Sequence, residues 1–236
     1  MSLVTAVDLS KTYVTGQVEV KALKGLNFEI EPASFVSFVG PSGSGKTTLL
    51  NLMGCLDKAT EGELVVAGEH VNALDRRQSA SFRGSFLGFI FQSFNLLPVL
   101  TAYENVEYPL VMIKNESKSK RKDMVLKVLN SVGILDLKDK FPDQLSGGQR
   151  QRVAVARALV TQPKLVLADE PTANLDHATA RNVIRLMRDM RDEFGTTFIF
   201  STHDPRVMHE AEVIHTLEDG RLTHTEQGSD RRGNHD

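Results

Sequence analysis

The chain has a single cysteine, Cys55, in 236 residues. No disulfide can form within it, so a reducing cytoplasm is the default compartment. Cys55 lies in the apolar run TLLNLMGCL and reads as a small core residue rather than a reactive thiol. No run approaches the roughly 18–20 apolar residues of a membrane span, so work at a membrane would need a span supplied by another chain. The opening MSLVTAVDLS lacks the basic and long apolar regions of a signal peptide. An excess of one charge is missing too. The net charge is −2 and the 28 Lys and Arg are dispersed, which gives no electrostatic footprint for nucleic acid. The histidines show no metal-ligand spacing, so no zinc site is expected. No internal repeat is evident. Tryptophan is absent and tyrosine occurs three times.

What is present is ordinary for a globular protein: 41% hydrophobic and 25% charged residues, enough for one large domain or a core with a subdomain. Residues 1 to about 40 read as strands in LVTAVDLSKTY, LNFEI and SFVSFVG. ELVVAGEHV (63–71), LGFIFQ (87–92), KLVLAD (164–169) and TTFIFST (196–202) add more. VIHTLEDGRLTHT reads as a hairpin turning at Asp219-Gly220. Met124, Val125, Val128, Leu129 and Val132 share one helical face before Gly133. Residues 146–162 predict a second helix, ended before Pro163. Val183, Ile184, Met187 and Met190 mark a third, stopped by Gly195. The expected fold is α/β: a P-loop nucleotide-hydrolase core with a parallel sheet, an antiparallel β subdomain on the N-terminal side and an inserted helical subdomain. The expected division is one domain over 1–225, with core 1–92 and 161–225, insert about 93–160, and a polar, disordered tail at 226–236.

The strongest motif is Gly40-Pro41-Ser42-Gly43-Ser44-Gly45-Lys46-Thr47, which fits G-x-x-x-x-G-K-[ST]. It follows the strand FVSFV and opens the helix TTLLNLM, as the motif requires. Backbone N–H groups can turn inward around a β-phosphate, and the helix N-terminus adds partial positive charge. Lys46 would reach the β- and γ-phosphates, Thr47 would ligate Mg²⁺, and Thr48 would assist at the α-phosphate.

LVLADEPT places Asp169 and Glu170 at a strand's C-terminal end, where open α/β sheets bind ligands. Asp169 would hold Mg²⁺ through water, and Glu170 would orient or deprotonate the attacking water. Gln92, ending GFIFQ, is either a contact to Mg²⁺ or the attacking water, or an exposed loop amide. His203, after TTFIFST, either bonds a γ-phosphate, holds Glu170, or is simply structural. Tyr13 in SKTYVTG is either the face on which an adenine stacks or an edge-strand aromatic.

A second anion-holding pattern is LSGGQRQR, Leu145–Arg152, with Ser146, Gly147 and Gly148 at the start of a helix. Arg150 and Arg152 either steer phosphate or solvate that helix. Together, the phosphate loop, Gln92, LSGGQ (145–149), LVLADEPT, ANLD (173–176) and His203 resemble the nucleotide-binding subunit of an ABC transporter over nearly the whole chain. GQVEVKALKGLNFEI, LGFIFQSFNLLPVLTAYENVEYPL and LVLADEPTANLD resemble the lipoprotein-releasing and macrolide-exporter branch. Ala173 departs from the Ser or Gly often found there.

The resemblance implies an ATPase with ATP and Mg²⁺ that works as a head-to-tail homodimer. Each ATP would sit on one subunit's phosphate loop and face the other's Ser146, Gly147, Gly148 and Gln149, with Asp176 nearby. It further implies two integral-membrane permease subunits, a periplasmic adaptor in some systems, and residence on the cytoplasmic face of the bacterial inner membrane. The expected work is export or extraction of a lipoprotein, peptide or drug-like substrate. The alternative is a cell-division ATPase that signals through a permease-like partner without transport. DNA-repair and translation ATPases share the signature, but the chain has room for neither a long coiled coil nor a second cassette. Within SFNLLPVLTAYENVEYPL, the apolar residues either dock a permease helix or pack inside the insert.

Overall fold

The structure is a computed structural model that describes residues 1–113 and 116–227. Its core is a six-stranded sheet of β3 (Phe35–Val39), β6 (Leu87–Phe91), β7 (Leu165–Asp169), β8 (Thr197–Thr202), β9 (Val213–Glu218) and β10 (Arg221–Gln227), in the order β10-β9-β3-β8-β7-β6. All neighbours are parallel except the β9–β10 hairpin. The parallel strands are covered on both faces. Phe35, Val166, Ala168, Phe198 and Phe200 pack into one core, and Val36, Phe38, Leu165, Leu167 and Ile199 into the other. Burial on both faces is why these segments read as continuous apolar runs. The β9–β10 turn carries Asp219 and Gly220 at φ 45° and 77°, as a two-residue primed turn requires.

A four-stranded antiparallel sheet of β1 (Val4–Thr15), β2 (Val18–Ile30), β4 (Glu61–Val66) and β5 (Glu69–His70) covers the second core. That core also takes in Leu49, Leu50, Leu52 and Met53 of α1 (Lys46–Met53). β2 begins eight residues before the expected LNFEI. The helical insert holds α3 (Ala102–Ile113), α4 (Lys118–Ser131) and α5 (Gly147–Leu159). α6 (His177–Phe194) ends on Gly195 at φ 64°, and the short α7 spans Pro205–Met208.

Three expectations shift. α5 stops at Leu159 rather than 162 because Gln162 takes φ 55° and Pro163 disfavours a helical residue before it. α2 (Arg76–Phe86) was not anticipated. It is mostly polar, and its sequence signal is the Asp75/Gln78 capping box, which is formed in the structure. Glu226 and Gln227 belong to β10 rather than to the tail, and residues 228–236 lie outside the described residues. Cys55 is half-buried, and burial pushes its thiol up to about 11, so it is no nucleophile near neutrality.

His215 on β9 is 5% exposed, stacks on Phe38 with centroids 4.9 Å apart, and shares a hydrogen bond with Thr225 Oγ1 at 2.9 Å. Burial pulls its pKa from 6.5 down to about 4. Between those values the unfolded chain takes up a proton that the folded chain refuses. Stability from this group is therefore complete above pH 6.5 and declines as pH falls toward 4. His215→Phe is expected to remove on the order of 3 kcal/mol of that acid-side loss, read from denaturant midpoints at pH 7 and pH 4.5.

Candidate functional site

Because β3, β6, β7 and β8 are parallel, their C-terminal ends converge on one edge. Gly40–Thr47, Gln92, Asp169-Glu170 and His203 are brought there from four separate parts of the chain. The edge opens into a cavity of about 640 Å³, lined among others by Lys46, Thr47, Thr48, Gln92, Glu170 and His203. Gly40 takes φ 151°, and a Cβ there would lie 2.0 Å from the carbonyl oxygen of Leu217, so the loop can pass under the β9–β10 hairpin only with glycine.

Lys46 is nearly buried. Its Nζ donates to the carbonyls of Gly40 at 2.7 Å and Pro41 at 3.0 Å and lies 3.9 Å from Glu170 Oε1. The cation is thus held at the mouth of the loop by two carbonyls, with the Glu170 carboxylate beside it. Thr47 Oγ1 donates to Asp169 Oδ1 at 3.1 Å. His203 Nδ1 is 2.9 Å from Glu170 Oε1. Glu170 itself adopts φ 46°, a left-handed conformation that costs about 1–3 kcal/mol for such a residue.

Ser201 was not singled out from the sequence, yet it organises the carboxylate pair. It is fully buried on β8, donates to Asp169 Oδ1 at 2.7 Å and accepts from the Glu170 N–H at 2.9 Å. One hydroxyl thereby aims Asp169 and secures the strained peptide of Glu170. Its only signal was a serine directly after the apolar FIF of TTFIFST. Ser201→Ala strands a buried N–H and is expected to cost about 1–3 kcal/mol of stability, with turnover of the reaction proposed below falling about tenfold. Urea unfolding and steady-state kinetics check both.

Among the other expected residues, Gln92 is exposed, and its carbonyl accepts from Asn174 Nδ2 at 2.9 Å. Tyr13 does not line the cavity, although Val20, its register partner on β2, does. The Tyr13 hydroxyl donates to Asp57 Oδ2 at 2.9 Å, and Lys11 Nζ sits 4.8 Å over its ring. Asp176 caps α6, accepting from the Thr179 N–H at 3.1 Å.

Ser146, Gly147, Gly148 and Gln149 do not line the phosphate-loop cavity. They form a helix start of their own. Ser146 caps α5, accepting from the Gln149 N–H at 3.3 Å, while the Ser146 N–H donates to Gln149 Oε1 at 2.8 Å. In this capping box the Ser146 hydroxyl acts as an acceptor and keeps its own proton to donate. A Cβ on Gly148 would lie 2.5 Å from Thr179 Cγ2, so the helix start packs tightly against the α6 start that Asp176 caps. The two arginines after the motif both have partners within the chain. Arg150 lies 5.2 Å over the Phe94 ring, and Arg152 Nη1 donates to the Val132 carbonyl at 2.7 Å, closing the end of α4.

With this geometry in place, comparison with known proteins is decisive. The ABC transporter family matches residues 23–173. The chain belongs to the ABC transporter ATP-binding family. The lipoprotein-releasing system ATP-binding protein LolD of Francisella tularensis is 43% identical over 215 residues, 91% of this chain and 93% of that protein. The macrolide export ATP-binding/permease protein MacB of Rhodopirellula baltica is 45% identical over 90% of this chain, which spans only 31% of that longer protein. An ATP-binding cassette of Methanocaldococcus jannaschii, solved as a dimer in a post-hydrolysis state bound to ADP and Pi, superposes with a TM-score of 0.86 at 42% identity. The match covers 95% of this chain and 98% of that one. The cassette is therefore an ATPase of the LolD and MacB branch. Among the described residues no helix is long and apolar enough to cross a membrane.

Proposed function

We propose that the cassette hydrolyses ATP at sites completed by a second copy of itself, and that the opening and closing of this dimer drive a membrane permease. The observation that carries the reading is the division of the two anion-holding elements. The phosphate loop sits in its own cavity with Glu170 and His203, while the Ser146 helix start lies outside it and keeps an unspent hydroxyl donor. ATP on the loop would have its β- and γ-phosphates neutralised by Lys46 and the loop N–H groups, through Gly40, Pro41, Ser42, Gly43, Ser44 and Gly45, with Thr48 near the α-phosphate. The far side of the γ-phosphate would still need donors, because charge develops there in the transition state. Ser146, Gly147 and Gly148 of the other copy supply them.

Thr47 and Asp169 are hard oxygen donors already within hydrogen-bond distance of each other, a set that fits Mg²⁺. Bound there with Gln92 close by, the ion would neutralise charge on the β- and γ-oxygens. Glu170 then accepts the proton of the attacking water while His203 holds its carboxylate. Asp176 keeps the adjoining loop in register with the Ser146 helix, and Tyr13 offers an aromatic edge beyond Val20 for the adenine.

The relatives' names support a membrane partner. We assign the cassette two integral-membrane permease partners, which hold it at the cytoplasmic face of a bacterial inner membrane, with export or extraction of a lipoprotein, peptide or drug-like compound as the work. A periplasmic adaptor fits the same branch. Within the single ATPase domain, which runs through β10 to Gln227, the insert at about 93–160 is the moving part. An apolar groove of about 410 Å³ between α2, β6 and α3, lined by Leu56, Phe89, Pro109 and Ile113 among others, fits a docked permease helix. Leu97, Val99 and Tyr108 stay exposed nearby, while Phe94, Val106 and Leu110 pack inside. ATP turnover is expected to rise with a Hill coefficient near 2 in ATP. A hyperbolic dependence, with turnover per chain unchanged on dilution, would contradict the paired site.

A further inference from the structure

Beyond Gln92 the chain bends in an unfavourable way. Phe94 and Asn95 take φ 60° and 48° in succession, a pair of left-handed non-glycine residues that persists only where its surroundings hold it. The holding groups come from α5, the helix that Ser146 starts. Arg157 Nη1 donates to the Asn95 carbonyl at 2.5 Å, and its Nη2 donates to the Phe94 carbonyl at 2.7 Å. Two turns earlier on α5, Arg150 covers the Phe94 ring at 5.2 Å. Asn174, two residues before Asp176, holds the Gln92 carbonyl at 2.9 Å. Arg157 and Asn95 also line the apolar groove, beside Pro109 and Ile113. The fork is therefore at the boundary between that groove and the loop carrying Gln92.

We propose that Arg157 is a positioning residue that latches the Gln92 loop to α5, so that Gln92 moves with the Ser146 helix and any occupant of the groove acts on the loop through this fork. This rests on the reading above, in which Gln92 serves the γ-phosphate side of the site. The physical requirement is a planar fork. Two adjacent carbonyls are met by the two terminal nitrogens of one guanidinium, whose rigid plane fixes the direction of both bonds, as a freely rotating ammonium on a flexible stem does not. Occupancy of the groove can then change the placement of Gln92 without any contact between the occupant and ATP.

The test is a pair of variants assayed alone and combined with Gln92→Ala. Arg157→Lys keeps the charge and loses the fork. Asn95→Val acts from the other side, because Asn95 is exposed and a β-branched residue disfavours the left-handed conformation that aims the carbonyls, without opening the core. Each is expected to lower kcat about tenfold with KM for ATP within about twofold, and to speed amide exchange over 92–97 by about tenfold or more. In the Gln92→Ala background each is expected to lower kcat by less than about twofold, because the route it acts through has gone. Full multiplication of the two losses in the double variants, or an unchanged kcat in Asn95→Val, would overturn the latch. If Arg157→Lys does not fold, Asn95→Val with and without Gln92→Ala decides alone. Glu170→Gln, run in parallel, separates the two failures: full turnover in that variant condemns the underlying site reading whatever the Arg157 results.

Discussion

Glu170→Gln is expected to lower ATP turnover by about 10²–10⁴-fold while leaving ATP binding intact. The amide has the shape of the carboxylate but cannot take a proton from water. The surrounding structure depends little on that charge. Ser201 holds the Glu170 backbone through its N–H, and the left-handed turn at φ 46° is a matter of backbone. Lys46 retains its two carbonyl partners, so the phosphate loop keeps its shape. Binding and chemistry should therefore separate. Because the slow step would follow closure, ATP should convert this variant from monomer to a persistent dimer, visible by size exclusion or light scattering. Undiminished turnover would remove Glu170 from the chemistry. Slow turnover without an ATP-dependent dimer would keep the base and remove the shared site.

Which parts of this arrangement could be read from residue order follows from how local each one is. The phosphate loop was legible because strand, loop and helix are contiguous, and the Asp219-Gly220 hairpin because both turn residues announce positive φ. The parallel strands were legible because burial on two faces leaves mostly apolar runs such as FVSFV and LVLA. α2 was hidden because its buried face is small and its cap, Asp75 with Gln78, was the only strong mark. Ser201 was hidden for a different reason. Its partners Asp169 and Glu170 become neighbours only once β7 and β8 pair side by side. The same holds for Asn174 with Gln92 and for Arg157 with Asn95. A hydrogen bond between distant segments leaves no periodicity behind, so the residues that position the candidate site were harder to see than those proposed to carry its chemistry.

Ser146→Arg is expected to abolish turnover with a loss of about a hundredfold or more. The variant removes the capping hydroxyl that accepts from Gln149 and puts a long cation where the γ-phosphate of the other copy's ATP would approach. The phosphate loop of the same chain is untouched, since Ser146 lies outside that cavity. ATP should therefore still bind to the variant, and with ordinary affinity at the monomer level. A loss of binding would place Ser146 at its own chain's nucleotide.

The most direct test of shared sites is to mix the two inactive variants. A dimer of one Glu170→Gln chain and one Ser146→Arg chain contains one damaged site and one complete site. The complete site has the loop and Glu170 of the second chain and the Ser146 helix of the first. Random pairing of equal amounts makes about half of the dimers mixed, each with one complete site, so turnover should recover to roughly a quarter of the unmodified rate. A mixture no more active than the average of its two components, with mixed dimers confirmed by differential tagging, would contradict the account.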